Sequence, residues 1–336
     1  MQPTTPSATR DFVSRLPKAE LHIHIEGSMT PAMTLDLARR NGVDLPFADI
    51  GALKAAYNFD DLQSFLDLYY AAARALRTPE DFYDLMTAYL ERAAADGVRR
   101  AEIFFDPQTH TRRGIGFDAL TTGLTEAIAD AERRWDISAD LILCFLRHLP
   151  PEDALRTLRE AEAHLDRVIA VGLDSTETGN PPELFTEAFD LARELGLRVT
   201  AHAGEEGPPS YVTGALDALG ADRIDHGVRS LEDPDLTARL RREQVPLTVC
   251  PFSNVALGVV DKLAHHPLPR MVEEGLVVSI HSDDPAYFGG YVGDNYVGVA
   301  EELGFDEAAL ADLARNSIRS SFLDEDEKAR LIDEIP

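Results

Sequence analysis

Histidines 22 and 24 stand two apart in "AELHIHIEG", residues 19–27, an apolar run that ends on Glu26 and Gly27. Side chains alternate along a strand, so the two imidazoles share one face while Leu21, Ile23 and Ile25 share the other. Histidine is a poor filler for a buried strand, and two on one face have the spacing of metal ligands. Three more β-rich runs end on residues of the same kind: "TAHAGEEG" on His202 and Glu205, "RIDHGVR" on His226, and "SIHSDDPAYFGG" on Asp283 and Asp284. Three imidazoles and a carboxylate, with no cysteine among them, suit a borderline divalent ion such as Zn2+. A set of His22, His24, His202 and Asp283 holds one ion and leaves a position for water, whose pKa falls from 15.7 toward about 7. His226 is not needed as a ligand; it can accept a proton from the water and orient the attacking oxygen. Glu205, three residues past a ligand, stands off the metal and can carry a proton to a substrate atom, while Asp284 faces the substrate. These residues describe a hydrolase acting on a polar, heterocyclic or amide-like carbon.

Such a constellation needs strand ends that converge. Eight strand candidates occur, at 19–25, 98–105, 137–145, 168–174, 198–203, 223–226, 246–250 and 277–281, with amphipathic helical patterns between them. Strand and helix alternating eight times predict a parallel (β/α)8 TIM barrel, whose chemistry sits at the C-terminal ends of the strands. Residues 27–97 are too long for one crossover and predict a helical insertion after the first strand, with Thr78 and Asp81 as a capping box around Pro79. Helices at 305–322 and 325–334 follow the last strand. The first fifteen residues read as a disordered leader and 16–336 as one domain.

Composition sets the outer limits. The chain has 336 residues, 44% hydrophobic and 27% charged, as a globular protein does. No window approaches the roughly 20 apolar residues of a membrane span. A net charge of −27 repels nucleic acid and anionic membranes, so a small molecule is the expected partner. Two cysteines, Cys144 and Cys250, suggest no disulfide framework and a cytoplasmic location. No glycine-rich phosphate loop appears, and an acidic mouth disfavours phosphorylated substrates. Nothing in the pattern reports an oligomeric state.

Taken together, these segments resemble the adenosine/adenine deaminase family of metal-dependent amidohydrolases. The likeness is carried by "LPKAELHIHIEG", "HAGEE", "IDHGVR", "TVCPFSN" and "SDDPAYFGG", in that order, and runs from about Leu16 to Leu323. The resemblance implies zinc on His22, His24, His202 and Asp283, Glu205 as proton donor to purine N1, His226 as the base near the attacking water, and Asp284 as the partner of purine N7. Hydroxide then adds to C6 and ammonia leaves. Adenosine enzymes of the family usually carry Asp at the position of Glu26, and Ala-Gly-Asp-Glu where this chain reads "GLDSTETGNPPELF", residues 172–185. With "HAGEEGPP" and "DDPAYFGGYV", these features resemble the adenine deaminase branch, which takes the free base. Glu26, Ser175 and Glu177 are then expected at the substrate, filling the volume a ribose would occupy. His281 stands where the family usually has Asn and shares parity with Asp283; it is expected behind the site or in the core. His110, His148, His164, His265 and His266 receive no role, and Cys250 is expected to pack. No lysine on the fourth strand could bridge two metals, so a single ion is implied. Two alternatives stay open: adenosine or an N6- or N9-substituted adenine as substrate, and a catalytically silent barrel that binds a purine. Intact Glu205, His226 and Asp284 argue against the second, since binding alone needs no positioned acid and base.

Overall fold

Eight parallel strands follow one another around a barrel in the computed structural model, which describes residues 6–59 and 61–336. They are β1 (Lys18–Glu20), β2 (Val98–Phe105), β3 (Ser138–Leu146), β4 (Val168–Asp174), β5 (Arg198–Ala203), β6 (Arg223–His226), β7 (Pro246–Val249) and β8 (Val277–Ile280). Neighbours in the barrel are neighbours in sequence, as in the expected (β/α)8 architecture. Alternation divides the apolar residues into two sets. Phe104, Ile142, Cys144 and Ala170 cluster inside the barrel, whereas Ile103, Phe105, Leu141, Leu143 and Val171 join the larger core under the helices.

The first strand is shorter than its sequence pattern. The expected strand over 19–25 keeps a regular ladder only to Glu20, because beyond it the backbone bonds alternate between two neighbours. The Leu21 N–H donates to the His281 side chain at 3.0 Å. His24 N donates to Asp283 O and Asp283 N to His22 O, each at 3.0 Å, while Phe104 N donates to Ile23 O at 2.9 Å. These bonds close the barrel between β8 and β2 and hold His22 and His24 extended at its C-terminal rim.

The N-terminus needs a correction. Of the leader expected to be disordered over 1–15, residues Pro6–Arg15 form a helix, and residues 1–5 lie outside the described residues. The reason is burial: Val13 and Leu16 enter the core, and the buried Lys18 ammonium donates to the carbonyls of Val13, Leu16 and Asp96 at 2.8, 2.6 and 2.5 Å.

Between β1 and β2 lie the helices Pro31–Arg40, Ile50–Ala55, Leu62–Ala73 and Pro79–Ala95. Thr78 and Asp81 form the expected capping box. Helices Glu307–Arg319 and Glu325–Asp333 end the chain. Among the described residues no helix is long and apolar enough to cross a membrane.

Candidate active site

The C-terminal rims of β1, β5, β6 and β8 bring His22, His24, His202, His226 and Asp283 into one buried cluster. His22 Nε2 and His24 Nε2 lie 3.3 and 3.5 Å from Asp283 Oδ1, and the Nε2 atoms of His24 and His202 face one another at 3.1 Å. His226 Nε2 lies 3.7 Å from Asp283 Oδ2. Ligand atoms of His22, His202, His226 and Asp283 all fall within 4.8 Å of one another. Phe104 supports the group from below, its ring 5.1, 4.9 and 5.5 Å from those of His22, His24 and His202. His226 (φ +65) and Asp283 (φ +63) take left-handed backbone conformations, uncommon for residues with a Cβ.

The groups behind three of the imidazoles show which nitrogen each turns outward: His22 through a hydrogen bond, His202 and His24 through carboxylates that stand farther off. His22 Nδ1 stands 3.0 Å from Thr248 Oγ1, and that hydroxyl donates to Asp225 Oδ1 at 2.9 Å. His22 Nδ1 is therefore the donor, and Nε2 is the nitrogen left to face Asp283. His202 Nδ1 faces Asp225 Oδ2 and His24 Nδ1 faces Asp174 Oδ2, each at 3.6 Å. Burial, helped by the neighbouring imidazoles, pushes His202 well below the usual histidine range and His24 down to about 4, so both rings are neutral. Against the upward pull of burial, His22 and its neighbours hold Asp283 well below the carboxylate range. Two neutral nitrogens aimed at each other, and a buried His22 Nε2 without a hydrogen-bond partner, fit a divalent cation among them.

Beyond the histidines the rim opens into a cavity of about 410 Å³, counting its open end. Leu62, Phe65, Leu66, Tyr69 and Tyr70 of the helix Leu62–Ala73 roof it. Asp106, Asp174, Glu205 and Asp284 face it from the ends of β2, β4, β5 and β8, each with one buried oxygen that lacks a hydrogen-bond partner. Burial first, and the Asp283 carboxylate next, push Glu205 and Asp284 well above the carboxylate range; burial brings Asp174 to about 7. Both shifts favour the protonated acid, the form that can donate. Gly27 makes room for Asp284: a Cβ there would stand 1.8 Å from Asp284 Oδ1.

Of the three residues expected to fill a ribose volume, only Ser175 lines the cavity, in a left-handed conformation (φ +72) and bonded to Tyr70 Oη (3.0 Å) and His148 Nδ1 (2.7 Å). Glu26 stands one layer behind. It pairs with His110 Nε2 at 2.8 Å, accepts from Asp106 N at 3.3 Å and meets Tyr69 Oη at 3.5 Å, so it braces the wall. Glu177 is likewise turned away from the cavity: its carboxylate accepts the backbone N–H groups of Gly204, Glu205, Glu206 and Gly207. Neither the Glu26 nor the Glu177 carboxylate lines the cavity where both were expected. His281 accepts from Leu21 N at Nδ1, so its Nε2–H donates to Ser279 Oγ at 2.8 Å; it stitches β8 to β1 outside the metal-sized cluster. Cys144 and Cys250 are buried and free, with thiols pushed well up by burial.

Sequence reasoning missed Asp106, Asp174 and Asp225. The first two end β2 and β4 in "FFDP" and "GLDS", where the strand-end rule that found the histidines could also have found them. Tyr69 and Tyr70 lie in an amphipathic pattern that does not say which face covers the mouth.

Comparison with known proteins adds a family to this geometry. The family model described as adenosine deaminase matches residues 17–336. An adenine deaminase of Cupriavidus necator is 55% identical over 332 residues, 99% of this chain and 95% of the relative. Among solved structures, adenine deaminase from Arthrobacter aurescens superposes with a TM-score of 0.94 at 53% identity, covering 95% of this chain and 98% of its own. An amidohydrolase from Burkholderia ambifaria, solved with bound Zn, gives a TM-score of 0.90 at 32% identity over 98% of this chain and 92% of its own.

Proposed function

This chain belongs to the adenosine deaminase family, and from that premise we propose that it deaminates the free base adenine hydrolytically, giving hypoxanthine and ammonia, with one zinc ion held by His22, His24, His202 and Asp283. The observation that carries the reading is a buried, unpartnered Glu205 carboxyl, pushed well above the usual carboxylate range by burial and by Asp283, beside imidazoles that converge through their Nε2 atoms. Zinc suits three nitrogens and a carboxylate, and the Burkholderia relative carries it. When bound, the cation supplies the Lewis acidity that makes water nucleophilic at neutral pH.

The remaining work falls to side chains. Glu205 delivers its proton to ring N1, which drains electron density from C6 and opens that carbon to attack. Asp284, also protonated, donates to N7 and fixes the base in its plane. His226 stands 3.5 Å from Glu205 Oε2 and 3.7 Å from Asp283 Oδ2, where it orients the attacking oxygen. Phe65, Leu66 and Tyr69 close the roof against bulk water. The reaction serves purine salvage in the cytoplasm, in keeping with two cysteines that stay free and buried.

Two relatives above 50% identity that are named adenine deaminases support the free base over the nucleoside. Zinc-loaded protein is expected to convert the ultraviolet spectrum of adenine to that of hypoxanthine while leaving adenosine and N6-substituted adenines largely unchanged. Adenosine turned over as efficiently as adenine would overturn the free-base reading. Dialysis against a strong chelator is expected to abolish turnover, and one equivalent of zinc per chain to restore it; full activity in metal-free protein would remove the cation from the reaction.

A further inference from the structure

Asn254 and His266 lie outside the residues assigned so far, yet one line of hydrogen bonds runs through them into His226. Asn254 belongs to the short helix Pro251–Ala256 after β7, and His266 to the loop before the helix Leu268–Glu273. The line has an unambiguous start. The backbone N–H of Leu268 donates to His266 Nδ1 at 3.0 Å, so a neutral His266 carries its proton on Nε2. Burial keeps that ring neutral, lowering it to about 4. His266 Nε2 stands 3.1 Å from Asn254 Oδ1, which accepts the proton. The orientation of the amide is thereby settled, because turned over its NH2 would meet an N–H. Asn254 Nδ2 is left aimed at His226 Nδ1, 3.4 Å away, and that nitrogen must accept. The single ring proton of a neutral His226 then sits on Nε2, the nitrogen that faces Glu205 and Asp283.

This polarity is opposite to that of the other three imidazoles. His22 bonds a hydroxyl acceptor through Nδ1, and His24 and His202 face carboxylates with Nδ1 at 3.6 Å, so all three turn Nε2 inward as the atom without a proton when the ring is neutral; His226 presents Nδ1 to a donor and turns an N–H inward. We propose that Asn254 and His266 are positioning residues that fix the tautomer of His226, so that His226 meets the attacking oxygen as a hydrogen-bond donor and not as the base the family resemblance implies; the water's proton then goes to the Asp283 carboxylate beside it and from there to the departing amino group, which leaves as ammonia. The same tautomer excludes His226 from the ligand set, although its Nε2 lies within the metal-sized cluster. The identity of the attacking oxygen rests on the deaminase reading above; the position of the proton does not.

The test separates the two. Zinc-loaded protein labelled with 15N-histidine is examined by long-range 1H–15N correlation of its imidazoles, the His226 signals being assigned by their loss in His226→Gln. A proton-bearing Nε2 and a bare Nδ1 are expected. Asn254→Asp, close in shape but an acceptor at both atoms, is expected to reverse that pattern and lower kcat on adenine about 10²-fold, with KM and zinc per chain within about threefold of the unaltered protein. A proton on Nδ1 of His226 in the unaltered protein overturns the proposal, and so does Asn254→Asp with kcat unchanged. If Asn254→Asp does not fold, the spectrum of the unaltered protein decides alone. Protein that leaves adenine untouched yet shows the Nε2 proton supports the tautomer and fails only the substrate reading.

Discussion

Replacing Glu205 with glutamine is expected to lower kcat on adenine on the order of 10³-fold, while zinc content and affinity for hypoxanthine persist. Glutamine keeps the size of the side chain and a hydrogen-bonding end, so the loop and the cavity stay as they are. What it lacks is a transferable proton. Glu205 Oε1 is buried without a partner, and burial with the nearby Asp283 charge pushes the carboxyl well above the usual carboxylate range, toward its acid form. That is the state a donor to N1 requires, since attack at C6 without protonation would place negative charge on the ring. The sign of the pH dependence follows: a group whose acid form works, with its pKa raised, loses function as pH climbs through that raised value. Steady-state kinetics with metal analysis checks the prediction. Turnover within about tenfold of the unaltered enzyme would show that another carboxyl lining the cavity, Asp106, Asp174 or Asp284, supplies the proton.

The donor residues could be read from sequence because each interrupts an apolar run at its C-terminal end, where a parallel barrel exposes side chains. His22, His24, His202 and Asp283 all met that description. Their supports did not. Alternation along β6 places Asp225 and His226 on opposite faces, yet both serve the site, because the left-handed backbone at His226 turns its ring away from the strand's pattern. No local composition announces that φ. The truncated ladder of β1 was equally hidden, since it depends on a His281 side chain 260 positions away taking the Leu21 N–H. Ranges β2 to β8 were legible to within a residue or so because they are bounded by their own turns and helices, not by a distant side chain. Glu26 and Glu177 were misplaced for a related reason: a carboxylate in a loop reads as solvated or substrate-facing, and only the fold shows backbone N–H groups waiting for it.

Those waiting groups give Glu177→Gln a large expected effect. Glu177 Oε1 accepts from Gly204 N at 2.7 Å, and Oε2 accepts from the N–H groups of Glu205, Glu206 and Gly207 at 3.1, 2.9 and 2.7 Å. The loop wraps the carboxylate closely; a Cβ on Gly207 would stand 2.4 Å from Oε1. Glutamine offers one acceptor oxygen, so whichever way its amide turns, at least one buried N–H meets an NH2. Each such orphan costs about 1–3 kcal/mol, and the surviving bonds lose their charge assistance. We therefore expect a loss of about 2–4 kcal/mol in stability. We also expect kcat on adenine to fall about 10²-fold, because a displacement near 1 Å of the acid that follows Gly204 is enough for that. Zinc should remain, since the His202 carbonyl is held independently by Arg147 Nη1 at 2.6 Å. Thermal denaturation, kinetics and metal analysis on one preparation discriminate the cases. Unchanged stability and kcat would mean that the four bonds do not hold the loop, whereas a raised KM at constant kcat would return Glu177 to the substrate, because only a group that touches the base can weaken its binding without disturbing the acid.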